Sequence, residues 1–177
     1  MKATSVSEID HLVNCWAEGS AAIDSNGLSS FAEKLASLFK VRRDEVAILG
    51  IVNGGKFLRF IVPEILSEVG TIPVSSTAAL AARTAREKRP EIQNNFAGSR
   101  HASVFEGVQM GRGEGVSIQK IMSMPVLAEN KVVGVVQICR KGHTQIQSGA
   151  DFGSNDLRTL QELTETLARF VLLAKKD

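Results

Sequence analysis

Long apolar runs, clustered cysteines, aromatic residues and a strong net charge are all scarce in this sequence, and each shortage removes a class of function. The longest apolar stretches, 46–52 and 132–136, are far shorter than a bilayer requires, and residues 1–7 hold no apolar secretory segment. The expectation is a soluble, cytoplasmic protein without a membrane partner. Cys15 and Cys139 are the two cysteines. They lie far apart in segments that read as helix and strand, which argues against a disulfide framework and fits a reducing compartment. A formal net charge of +2 and an aromatic content of 5% leave neither long-range attraction for nucleic acid nor a base-stacking platform, so no nucleic-acid partner is expected.

What is present is enough for one core. The chain has 177 residues, 44% hydrophobic and 23% charged, the mix of an ordinary globular domain. Ile9, Leu12, Val13 and Trp16 recur at helical spacing behind a capping-box start at Ser5 and Glu8. Leu28, Phe31, Leu35, Leu38 and Phe39 form a second apolar stripe. Residues 46–52 read as a strand covered on both faces, and Asn53-Gly54-Gly55 turns it into a second strand, 56–62. A short strand at 72–74 follows, then a helix opened by Ser75-Ser76-Thr77 and closed before Pro90. Residues 91–117 are irregular and rich in glycine toward their end, as a pocket cover would be. Two strands, 118–127 and 131–139, form a second hairpin turning at Glu129-Asn130. A last helix, capped by Asn155-Asp156, carries Leu157, Leu160, Thr164, Leu167, Val171 and Ala174 at three- and four-residue steps.

Reactive chemistry is hard to find. His11 and Cys15 share a helix face, but no second pair accompanies them, and they read as a surface or interface helix with no metal and no cofactor. Gly111, Gly113 and Gly115 imitate a phosphate loop, yet no Lys-Ser/Thr follows and the segment leads into a strand. His101 and Glu106 lack a nucleophile. No catalytic residue is assigned, and the protein is expected not to be an enzyme.

Ile121-Met122-Ser123-Met124-Pro125-Val126, followed by Val133-Gly134-Val135-Val136-Gln137-Ile138, resembles the hairpin of GAF domains, the sensory modules of cyclic-nucleotide phosphodiesterases, phytochromes and bacterial signalling proteins. The likeness spans roughly residues 27–173. It implies an α+β, profilin-like fold: an antiparallel sheet with helices on both sides, the N- and C-terminal helices packed together on one face. It also implies a division into an N-terminal helix at 1–26, a dimerisation element, and a GAF domain at 27–177. In the cyclic-nucleotide branch this strand leads into an Asn-Lys, Phe, Asp-Glu motif. Lys141, Phe152 and Asp156 stand at similar places, but Arg140 replaces the Asn and Leu157 the Glu. The chain is therefore assigned neither to that branch nor to the bilin-binding one, which needs a pocket cysteine that 91–117 lacks. What the resemblance carries over is a salt bridge between Lys141 and Asp156.

The functional expectation is a regulatory module that senses a small molecule, between the sheet and residues 75–117, and acts as a homodimer on a downstream signalling protein. The dimer expectation draws on Leu163 and Phe170, apolar positions beyond the main stripe of the last helix. Residues 83–120 hold seven basic and four acidic side chains, a balance of +3. No carboxylate occupies the first turn of the helix opened at Ser75, so an anionic ligand bearing phosphate or carboxylate would be held at Ser76 and Thr77. Phe96, His101, Phe105, Met122 and Gln137 are candidates for the remaining wall. Two alternatives stay open: a dimeric interaction scaffold of the same fold without a ligand, and a Ser76 that only caps its helix beside a solvated arginine face.

Overall fold

The computed structural model describes residues 4–19, 22–98 and 116–175. Eleven regular elements occur among them: α1 (Val6–Glu18), α2 (Ser25–Phe39), β1 (Val46–Val52), β2 (Phe57–Val62), β3 (Thr71–Pro73), α3 (Leu80–Glu87), β4 (Glu91–Gln93), β5 (Ile118–Ala128), β6 (Lys131–Lys141), α4 (Ser154–Glu162) and α5 (Thr164–Ala174). The strands form one sheet in the order β3-β2-β1-β6-β5-β4, antiparallel at every pairing. The long hairpin β5/β6 and the strand β1 make its centre.

Alternation along the central strands divides the core in two. Val46, Ile48, Met122, Met124, Val126, Val136 and Ile138 point to the face that carries α1, α2, α4 and α5. Ala47, Leu49, Ile121, Val135 and Cys139 point to the opposite face, against α3 and Phe96. The expected arrangement of helices on both sides, with the terminal helices together on one, is the one observed. Both faces are covered, which is why β1 reads as an unbroken apolar run. At the centre a Cβ on Gly134 would fall 2.3 Å from the Leu49 carbonyl oxygen, so only glycine lets β6 approach β1 this closely. The β5/β6 turn places Glu129 and Asn130 both at positive φ, 49° and 65°, the backbone twist a two-residue hairpin favours.

Three boundaries differ from the sequence expectation. Helix α3 begins at Leu80 with Ala79 as its N-cap, not at Ser75–Thr77. The Ser76 hydroxyl accepts the Ala79 N–H at 3.2 Å, and this local turn competes with helical bonding. At the C-terminal end the cap is Gly153, not Asn155–Asp156, and the Asp156 carboxylate accepts the Gly153 N–H at 2.8 Å. The expected single last helix is interrupted at Leu163 (φ −89°, ψ 3°). This break turns Leu163 inward, and both Leu163 and Phe170 are 0% exposed. The residues expected to serve a partner therefore fill this chain's own core: the Phe170 ring stacks on Phe31 at 3.8 Å, with Trp16 6.3 Å away.

Helix α1 belongs to that core through Ile9 and Val13. Its seat is fixed by a polar cluster, in which Arg169 bonds Asp10 (2.9 Å) and Asn14, and the Thr166 hydroxyl donates to Asp10 at 2.7 Å. No helix among the described residues is long and apolar enough to cross a membrane.

Candidate functional site

The α3 face of the sheet is apolar: α3 packs through Leu80, Ala81, Ala82 and Ala85 against a sheet surface that includes Ala47, Leu49, Leu58, Phe60, Ile121 and Val135. Three polar side chains are buried there, Thr84, Ser123 and Gln137. The amide of Gln137 donates to Ser123 Oγ at 3.2 Å, the Ser123 and Thr84 hydroxyls are 2.7 Å apart, and Thr84 donates to the Leu80 carbonyl at 3.0 Å. Proton counting fixes the direction. Thr84 has one hydroxyl proton and Leu80 takes it, so Ser123 must donate to Thr84 while accepting from Gln137. One polarised chain thus runs from β6 through β5 into the first turn of α3. A buried hydroxyl without a partner is expensive, so the three residues hold one another in place. The Gln137 carboxamide still has a carbonyl oxygen and a second N–H with which to bond.

The candidate wall residues separate around this chain. Gln137 and Phe96 lie on the α3 face, with Phe96 buried in the 3-10 turn Phe96–Gly98. Met122 does not: it is buried on the opposite face with the terminal helices. It pairs with Ile138 across the hairpin, and a period of two puts it on the reverse side from Ile121 and Ser123. Ser76 and Thr77 lie in the turn before α3, with the Ser76 carbonyl accepting from Arg86 at 2.6 Å. His101, Phe105 and the glycine-rich cover fall outside the described residues. Sequence reasoning passed over Ser123 and Thr84, although a serine inside the apolar run 121–127 was the available signal.

Much of the positive charge that favoured an anion is already engaged. Arg83 grips both Glu91 oxygens at 2.7 and 2.8 Å. Arg86 bonds the Val74 and Ser76 carbonyls, and Arg89 pairs with Glu87 at 3.0 Å. Lys120 reaches Asp151 at 2.8 Å and the Gly149 carbonyl at 2.5 Å.

That last contact ties β5 to the turn before α4. The ion pair here joins Lys120 to Asp151, while Asp156 caps Gly153 and the Lys141 backbone N–H donates to Glu45 at 2.8 Å. No ion pair joins Lys141 to Asp156 among the described residues. The turn is held further by Arg140, which lies 4.7 Å over the Phe152 ring and donates to the Phe39 and Lys40 carbonyls at the end of α2. Asn94 adds two bonds to the Phe152 backbone, at 3.0 and 2.9 Å.

The two thiols sit on opposite faces. Cys15 is exposed on α1 and Cys139 is buried beside the α3 face. Burial pushes the Cys139 thiol well above its ordinary range, against the opposing pull of Lys141. Two shallow grooves, of about 200 and 130 Å³, flank Leu28 and Glu64 at the edge of the helix-covered side, away from the buried polar chain.

No curated protein matches the chain. Among solved structures it is similar to the GAF domain of a phosphoenolpyruvate-protein phosphotransferase from Coxiella burnetii, at TM-score 0.68 and 11% identity, with 98% of this chain and 96% of that one covered. The corresponding domain from Acinetobacter gives TM-score 0.65 at 15% identity, covering 96% and 94%. A free methionine-R-sulfoxide reductase from Neisseria meningitidis, solved with its substrate, gives 0.62 at 10%, covering 96% and 87%. At these identities the likeness establishes the fold alone. The GAF domain family model matches the sequence itself over residues 29–171, four-fifths of its length, and with the sheet order and helix placement above, the chain belongs to the GAF domain family.

Proposed function

We propose that this GAF domain is a regulatory module that binds a small polar ligand over the α3 face of the sheet and passes the binding event to a signalling partner as a homodimer. GAF domains commonly serve as sensory or regulatory modules in signalling proteins, and the observation that carries the reading to this chain is the bonded series Gln137–Ser123–Thr84–Leu80. It is a polar feature buried in an apolar face, and it joins the sheet to the first turn of α3. A ligand that bonds the Gln137 carboxamide alters the partner of Ser123, and through it the seat of α3. The ligand meets Ser76, Thr77, Phe96 and Gln137, and His101 and Phe105 stay candidates from the sequence. An anionic ligand remains within the proposal because the first turn of α3 carries no acidic residue. The pairing of Arg83, Arg86, Arg89 and Lys120 weighs against it.

The non-enzymatic part of the reading rests on the thiols. Although one structural neighbour is a reductase, Cys15 and Cys139 are separated by the sheet, and the shifted, buried Cys139 thiol is a poor nucleophile. The homodimer is placed on the outward sides of the terminal helices. Native mass spectrometry of the purified protein, followed by thermal-shift screening of nucleotides, 2-oxo acids, oxyanions and neutral metabolites, tests the ligand claim. A retained or stabilising small molecule whose effect is lost in Gln137→Leu supports it. Absence of any bound mass and of any stabilisation leaves the scaffold alternative.

A further inference from the structure

The outward side of α1 carries a feature that neither the core nor the ligand site uses. With Ile9 and Val13 buried and Asp10 and Asn14 tied to α5, the orientation of α1 is fixed. At 100° per residue, Glu8, His11, Cys15 and Glu18 then form one narrow stripe on its far side, and all four are exposed. Within it the Cys15 sulfur lies 3.6 Å from His11 Nε2. Zinc binds sulfur at about 2.3 Å and imidazole nitrogen at about 2.0–2.1 Å, so the sulfur-to-nitrogen edge of a tetrahedral site is about 3.5–3.6 Å. The pair already has the separation of two ligands on one metal, which the i, i+4 spacing alone could not show.

Two ligands leave two positions of the tetrahedron unfilled, and the symmetry of the stripe says what fills them. If two copies of α1 pack antiparallel through this stripe, about a twofold axis midway between His11 and Cys15, His11 faces the partner's Cys15 and Glu8 faces the partner's Glu18. We propose that His11 and Cys15 of two chains bind one zinc-class divalent cation between them, a Cys2His2 site that closes the homodimer. Each Cys15 gives up its thiol proton to solvent and binds as the thiolate, and each His11 binds as the neutral ring through Nε2. Two thiolates neutralise the dication. Without the metal, the facing Glu8 and Glu18 carboxylates repel, and large apolar surface is short on this side: Leu172 is the one large hydrophobic residue of α1 or α5 that is exposed. The cation thus supplies the attraction that Leu163 and Phe170, being buried, do not.

The inference rests on the homodimer in the function proposed above, and the experiment separates the two. The full chain, stripped with chelator, is titrated with zinc chloride in analytical ultracentrifugation, and with cobalt(II) while thiolate-to-cobalt charge-transfer absorption is followed. The expected result is one metal per two chains, a doubling of mass that chelator reverses, proton release on binding, and loss of all three in Cys15→Ser and in His11→Ala. Both residues are exposed, so an unchanged melting temperature of the metal-free variants confirms that they fold. A dimer that persists in chelator and in Cys15→Ser overturns the metal site and leaves the homodimer standing. Monomers in every condition overturn both, and one metal per chain without a change of mass overturns the bridge.

Discussion

The two faces of this sheet are built from different materials. The face under the terminal helices is filled by Phe31, Phe170, Leu35, Leu160, Leu163 and Leu167, all fully buried, with a stacked aromatic pair at its centre. The other face has one short helix that packs through alanines, aliphatic residues and two phenylalanines without a stacked pair among the described residues, and a buried series of three polar side chains. Large interlocking side chains favour one rigid arrangement. A helix seated through alanines and a polar seam can change its bonding partner with a smaller loss of packing. The first face suits a base and the second suits a response, and this contrast can be tested from both sides.

Cys139 gives the widest test. Its thiol is buried on the α3 face, whereas Cys15 is open to solvent, so Cys15 should react with a thiol reagent at once and Cys139 only when the domain opens. A global stability of about 5–15 kcal/mol would slow Cys139 by a factor of roughly a thousand or more. Labelling much faster than global unfolding would show that the α3 face opens by itself, which sharpens the contrast. The raised thiol pKa has a fixed sign. Its contribution to stability is fully present below the unfolded thiol value of about 8.5 and is lost as pH rises from there through the folded value. Resistance to urea should accordingly weaken between pH 8 and 10 in the wild type, and less so in Cys139→Ala.

Phe170→Ala should lower the stability of the whole domain by about 3–5 kcal/mol, because it removes a stacked ring from a fully packed site. Its loss should appear in the unfolding midpoint and not in ligand selectivity. Ser123→Ala should cost about 1–3 kcal/mol, since Gln137 and Thr84 each lose a buried partner. It should also accelerate Cys139 labelling and weaken the ligand's stabilising effect. An unchanged Cys139 labelling rate in Ser123→Ala would break the comparison. Asp10→Ala should have the smallest effect, about 1 kcal/mol in chemical denaturation, because its pair with Arg169 is two-fifths exposed on each side and the main loss is the partner of the buried Thr166 hydroxyl.

Much of this contrast was legible beforehand, and the failures are informative. The unbroken apolar run 46–52 announced a strand covered twice, and Ser5 with Glu8 announced the start of α1; both are local signals. Met122 was placed on the wrong face because the sequence shows that alternate residues diverge but not which set meets α3. The start of α3 was read at Ser75 because serine and threonine favour helix caps and tight turns alike. The ion pair of Lys120 with Asp151 at the C-terminal turn was not foreseen, because the two are 31 residues apart in the chain. Ser123 was overlooked because a serine in a strand becomes meaningful only when Thr84 and Gln137, 39 residues upstream and 14 downstream, are brought to it.

By itself the sequence determined the element types, the GAF hairpin and the absence of a large charge or cysteine framework, since these follow from period, turn chemistry and composition along a few adjacent residues. Tertiary structure alone decided which face of each strand meets which helix, and that Leu163 and Phe170 turn inward. Those outcomes depend on distances between groups far apart in the chain, and such distances are set only when two competing faces of one sheet have chosen what covers them.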